Sequence, residues 1–202
     1  MKFKYMKTSV IVYGLIAALS CQIVIAQNNK ENPIFAGDYP DPSILVDGNN
    51  YYMVHSSFEY YPSLLIWHST DLINWTPVAN ALYRYLGSVW APDLAKYDGK
   101  YYIYFPASGT NYVVSADNIA GPWSDPIELK VTMIDPGHVV DEEGNRYLYF
   151  SSGSYVPLSK DGLSIKGEIK NSYKGWEIPV NGPSNVFVWK VRSYSNVVTI
   201  TT

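Results

Sequence analysis

The run D-G-K-Y-Y-I-Y-F-P-A-S, Asp98 to Ser108, reads as a tight turn feeding a strand. Asp-Gly supplies the positive φ of a hairpin turn, and the aromatic and β-branched residues after it alternate faces with period two. The same unit stands earlier as D-G-N-N-Y-Y-M-V-H-S-S from Asp47 and later as E-G-N-R-Y-L-Y-F-S-S-G from Glu143. A second element follows each copy: L-L-I-W-H-S-T-D from Leu64, Y-V-V-S-A-D from Tyr112 and V-P-L-S-K-D from Val156. Ser69, Ser115 and Ser159 are thereby spaced by 46 and 44 residues. The first two copies add a tryptophan before a proline-marked strand, at Trp75 with Pro77 and at Trp123 with Pro126. A period in the forties, filled by short antiparallel strands, is the pattern of propeller blades, which stack because one blade cannot bury both faces alone. A β-sandwich with similar turns is the competing architecture.

Composition agrees with strands and turns. Among 202 residues there are 19 Tyr, 6 Trp, 6 Phe and 13 Pro. Amphipathic rings suit half-buried pleated faces, and proline ends helices. A hydrophobic fraction of 47%, a charged fraction of 16% and a mean hydropathy of −0.09 exclude a disordered chain and a multi-pass membrane protein.

Lys2, Lys4 and Lys7 precede an apolar stretch from Ser9 to Ala26, which predicts an export signal over 1–26, cleaved before Gln27. A retained membrane anchor is the alternative. Cys21, the only cysteine, lies behind Ala18-Leu19-Ser20, a poor match to a lipoprotein box, so attachment through Cys21 stays open. The mature chain then has no disulfide and is secreted or periplasmic, or lipid-anchored at the cell surface. Without the three signal lysines it carries 12 basic against 18 acidic residues. That balance disfavours nucleic acid, whose binding needs clustered Lys and Arg. A neutral partner such as a sugar, whose faces stack on Tyr and Trp, fits better.

Candidate chemistry gathers at the heads of the repeats. G-D-Y-P-D-P-S-I, Gly37 to Ile44, sets Asp41 between two prolines at the mouth of an apolar strand. Proline fixes the backbone and removes amide donors, so the carboxylate is held in place; a rigid turn with an Asx cap is the plainer reading. I-D-P-G-H-V-V-D-E-E-G repeats the arrangement at Asp135, before the third blade. In a propeller such positions converge on the central axis, so two carboxylates 94 residues apart can face one sugar. G-S-V-W-A-P-D-L, Gly87 to Leu94, heads the second blade and offers Trp90 as a stacking platform or as inter-blade core. Phe58, Tyr60 and Tyr61 are further platform candidates. Asp93 follows Ala-Pro and reads as a structural hydrogen-bonding group, with a place in the cavity lining as the alternative. His55, His68 and His138 form no spaced metal cluster, and His138 is expected to line the cavity. No metal or cofactor is expected.

These segments, with the run H-S-S-F-E-Y-Y-P-S-L-L-I-W-H-S-T-D-L-I-N-W, resemble glycoside hydrolase family 43 almost without break from Asn32 to about Pro179. The resemblance implies an all-β, five-bladed propeller of which this chain carries about three blades. It also implies inverting release of β-D-xylosyl or α-L-arabinofuranosyl units from oligosaccharides and polysaccharides such as xylan. By the same resemblance Asp41 matches the general base, and Asp135 matches the carboxylate that orients the general acid and raises its pKa. Inversion sets base and acid about 6.5–9.5 Å apart, leaving room for a water.

The family's acid is a glutamate in a Glu-Gly-Pro-Lys-like motif, and the nearest run here is N-G-P-S, Asn181 to Ser184. Asparagine cannot deliver a catalytic proton. With synonymous codons chosen suitably, the codons of Asn181 to Thr202 read from their third bases can spell W-S-V-E-C-F-C-L-E-G-P-K-L-L-E-R-G-N-Y-Y-Y, the acid segment and next strand that the resemblance implies. The central glutamate codon is forced by Trp189 and Lys190. The expected organisation is therefore a signal at 1–26, propeller blades at 27–180 and a frameshifted tail at 181–202, with a genuine terminal strand S-N-V-V-T-I-T-T as the alternative. A chain of this kind is expected to be inactive or weak. A non-catalytic sugar-binding fragment is the other reading; a related fructan-cleaving enzyme is disfavoured, because its Asn-Asp-Pro-Asn motif is Pro-Asp-Pro-Ser here.

Overall fold

The computed structural model describes residues 34–172, together with two short strands at 192–194 and 197–199. The expected signal, Cys21, Asn181 and most of the expected tail lie outside the described residues. The compact unit that begins at Asp38 contains the strands.

Three four-stranded antiparallel sheets follow one another along the chain. The first holds β1 (Ser43–Asp47), β2 (Asn50–Val54), β3 (Ser63–Ser69) and β4 (Thr76–Leu82). The second holds β5 (Asp93–Tyr97), β6 (Lys100–Ala107), β7 (Thr110–Ala116) and β8 (Ile127–Glu128). The third holds β9 (Gly137–Val140), β10 (Arg146–Tyr149), β11 (Ser154–Pro157) and β12 (Lys170–Asn171). Each sheet is ordered as its strands occur in the chain, and β1 neighbours β5 as β5 neighbours β9. These are propeller blades laid side by side on their first strands, as the repeat predicts. A separate hairpin pairs β13 (Arg192–Tyr194) with β14 (Val197–Thr199).

Period-two alternation explains the packing. On β6, Tyr101, Ile103 and Phe105 join the cluster shared with the first blade, beside Val54, Leu64 and Ile66. Tyr102 and Tyr104 point the other way, against Leu148, Phe150 and Val156 of the third blade. The middle blade is thus buried on both faces, which is why its strand reads as an almost unbroken aromatic run. The turns fall where the sequence puts them: Gly48, Gly99 and Gly144 all have positive φ at equivalent hairpins.

Polar contacts fasten the blades at both ends. At the hairpin end, Asp47 accepts from Lys96 Nζ and from Tyr101 OH, each at 2.6 Å. Lys96 and then Tyr101 hold its carboxyl below the usual carboxylate range. At the opposite end, Val89 bridges to Phe58 of the first blade and to Ala107 of the second.

Between the second and third blades lies Arg146, only 2% exposed. Its guanidinium sits over the rings of Tyr97 and Tyr102 and donates to Tyr104 OH, to the Lys160 carbonyl and to His138 Nε2. A buried cation is tolerable when its donors are met by acceptors and ring faces in this way.

Candidate active site

Antiparallel pairing sends the segment before β1, the β2–β3 and β4–β5 loops, the β6–β7 turn, the segment before β9 and the β10–β11 turn to one end of the blades. Asp41, Phe58, Trp90 and Asp135 all lie in these segments.

Asp41 and Asp135 share a backbone conformation that side chains seldom adopt, with φ of +52° and +56°. Each precedes a proline and then the innermost strand of its blade. The carboxyl of Asp41 accepts a hydrogen bond from Ser56 Oγ at 2.6 Å. That hydroxyl also accepts from the Ala91 amide at 2.6 Å, and the Ser56 amide donates to the Pro40 carbonyl at 3.0 Å. Ser56 is buried, so one side chain ties the first carboxylate to the head of the second blade. Beside it His55 is buried, its ring edge-on to Tyr39 and its Nδ1 2.7 Å from the Ser56 carbonyl. A carbonyl only accepts, so Nδ1 carries the proton.

Asp135 is approached along a stapled segment. Asn111 of β7, fully buried, donates through Nδ2 to the carbonyls of Val131 and Met133 at 2.8 and 2.6 Å. Its backbone pairs with Leu129 and Val131, and the Ser151 amide donates to the Ile134 carbonyl. The half-buried Asp135 follows directly.

Trp90 is 50% exposed, which rules out inter-blade core. Its Nε1 donates to Ser88 Oγ at 2.6 Å, fixing the indole plane. A cavity of about 250 Å³ opens beside it, lined in part by Ser88, Pro106, Ser108, Thr110 and Met133. Phe58, half-buried, exchanges two backbone hydrogen bonds with Val89, next to Trp90. Tyr60 and Tyr61 stand exposed in the same loop as Phe58.

His138 departs from expectation. Its ring is 8% exposed, stacked on Tyr104 with centroids 5.5 Å apart, and its Nε2 accepts from Arg146 at 3.0 Å. It packs between blades and does not line the cavity. Sequence proximity to Asp135 misleads because β9 turns the side chain of the third residue on into the inter-blade layer. Burial first, and then the Arg146 charge, push its pKa down to about 3. Asp93 does hold structure together: it accepts from Ser43 Oγ at 3.3 Å and from the His138 amide at 2.8 Å, linking all three blades. Among the described residues no three His, Cys, Asp or Glu side chains gather as a metal site.

The chain is 38% identical over 136 residues to the beta-xylosidase of Bacillus subtilis, covering 58% of this chain and 26% of that one. It is 37% identical over 142 residues to a non-reducing end alpha-L-arabinofuranosidase of Bacteroides ovatus, covering 60% and 26%. It thus spans about a quarter of the length of the curated relatives it matches. The crystal structure of xylan beta-1,4-xylosidase from Bacillus halodurans superposes with a TM-score of 0.64 and 34% identity, over 73% of this chain and 34% of that one. Residues 30–188 match the family described as Glycosyl hydrolases family 43, and the chain belongs to that family.

Proposed function

We propose that the chain carries the base side of an inverting glycoside hydrolase that releases β-D-xylosyl or α-L-arabinofuranosyl units from plant polysaccharides. The observation that carries this reading is the matched pair of Asp-Pro corners at the heads of the first and third blades, with Phe58 and the half-exposed Trp90 at the junction between the first two. Asp41 is the general base. Ser56 occupies Oδ2, leaving Oδ1 to take a proton from the water that attacks the anomeric carbon. Asp135 supplies negative charge where a general acid must be kept protonated. Trp90 and Phe58 present ring faces to the sugar.

The Glu-Gly-Pro-Lys-like run that the resemblance calls for has only N-G-P-S, Asn181 to Ser184, as its nearest counterpart, so on either reading of 181–202 no general acid is supplied. Without proton delivery, a poor leaving group loses on the order of 10²–10⁴ in rate. The chain is therefore proposed to act on pentosides whose aglycone departs as a stabilised anion, and hardly at all on plain oligosaccharides. Hydrolysis of dinitrophenyl β-D-xyloside and α-L-arabinofuranoside tests the assignment. Asp41→Asn should lower the rate on the order of 10²–10⁴, and an unchanged rate would remove Asp41 from the mechanism.

We further propose that residues 1–26 direct export. Intact mass of protein recovered from culture supernatant and from membranes tests this. A chain starting at Gln27 supports cleavage, a lipidated Cys21 supports the anchored form, and a chain retaining residues 1–26 in both fractions contradicts both.

A further inference from the structure

The exposed aromatic side chains are distributed unevenly over the molecule. Five stand exposed among the described residues: Tyr60, Tyr61, Tyr83, Tyr85 and Trp90. All five lie in the β2–β3 and β4–β5 loops, at the end that carries Asp41 and Asp135. Among the described residues, the loops at the opposite end expose aliphatic groups such as Leu72 and Ile73, while their rings, Trp75 and Trp123, are half-buried. A soluble surface gains nothing from several exposed rings on one face, and such a patch marks a binding site.

The two loops form one continuous surface. Ser63 pairs with Leu82, so the residues just before β3 sit beside those just after β4, and Asn80 Nδ2 donates to the Pro62 carbonyl at 2.9 Å. Ser108 Oγ holds the Leu86 carbonyl, and Val89 is paired on both sides. Tyr83 and Tyr85 are thus carried on a pinned backbone that leads straight to Trp90. Fixed flat rings with polar tips suit neutral sugar rings, which offer C–H faces to stack on and hydroxyls to bond. Arg84, between the two tyrosines, forms no ion pair among the described residues and adds hydrogen-bond donors.

We infer that Tyr83 and Tyr85 form a platform for a neutral pentose oligomer, holding sugar units beyond the one that reaches Trp90. The ligand is a chain of several units, and the platform sets a preference for polymer over monosaccharide. The identity of the sugar rests on the pentosidase reading, so binding and turnover are measured separately.

The test is calorimetric titration of the full chain with xylohexaose, arabinohexaose and the two monosaccharides. At least one hexaose should bind more tightly than its monosaccharide. Y83A/Y85A should weaken that hexaose by about tenfold or more and leave any monosaccharide affinity unchanged. Y83F/Y85F should restore it, because the rings remain. Equal hexaose affinity in the double alanine variant overturns the platform, as does a hexaose that binds no better than its monosaccharide. A change only in self-association, seen by sedimentation, would assign the surface to a second copy of the chain and also overturn it. If the unsubstituted chain binds a hexaose but hydrolyses no pentoside, loss of that binding in Y83A/Y85A would leave the platform standing and remove the pentosidase reading instead.

Discussion

The Ser56 hydroxyl stands 2.6 Å from Asp41 Oδ2, and the Ala91 amide donates to the same hydroxyl at the same distance. Ser56 is thus a positioning residue that couples the carboxylate of one blade to the head of the next. Ser56→Ala should lower kcat for dinitrophenyl pentosides on the order of 10- to 100-fold with little change in KM, since a base displaced by a fraction of an ångström loses rate. Ser56→Thr keeps the hydroxyl and should retain most of the activity. Equal loss in both variants would make the effect one of packing.

The His138–Arg146 contact makes stability depend on pH. His138 is neutral when folded, because Nε2 must keep its lone pair for Arg146 and protonation would bury a second cation. Its pKa falls from 6.5 in the unfolded chain to about 3 in the fold, so below pH 6.5 the unfolded state binds the extra proton. Stability should fall as pH drops from 6.5 toward 3, by up to about 1.4 kcal/mol per unit from this group. The titratable and charged groups that face the ring or its backbone are Tyr97, Tyr104, Asp93 and Arg146. Urea midpoints between pH 4.5 and 7.5 would show the slope, and His138→Gln should flatten it. An equal slope in the variant assigns it to other residues.

Gly162 and Gly99 separate backbone strain from packing. Both have positive φ, +74° and +76°, but a Cβ at Gly99 meets nothing within 4 Å, whereas at Gly162 it falls on the Arg146 guanidinium. Gly99→Ala should cost about 1 kcal/mol, the left-handed penalty alone. Gly162→Ala should cost about 2–4 kcal/mol, because the buried Arg146 must move off its acceptors. Equal losses by chemical denaturation would contradict the packing account.

Blade architecture was legible in the sequence because hairpin turns and period-two aromatics are local signals, repeated three times. The matched Asp-Pro corners at Asp41 and Asp135, with their shared backbone conformation, were legible for the same reason, each announced by a following proline. His138 and Ser56 show where legibility ends. Nothing near Ser56 marks it out from Ser57, and its two partners lie 15 and 35 residues away. Nothing local shows that Arg146 will turn into the layer between blades and claim His138. Tyr83 and Tyr85 carry no local mark either; strand pairing gathers the exposed rings of the described residues at one end.

The central claim is that Asp41 activates water in an inverting cleavage for which this chain supplies no proton to the leaving group. Proton NMR of the full chain with dinitrophenyl β-D-xyloside and dinitrophenyl α-L-arabinofuranoside, run beside xylobiose, tests it most directly. The account predicts release of inverted pentose from at least one activated substrate and negligible cleavage of xylobiose. Retained configuration, no turnover of either activated substrate, or ready hydrolysis of xylobiose would contradict it.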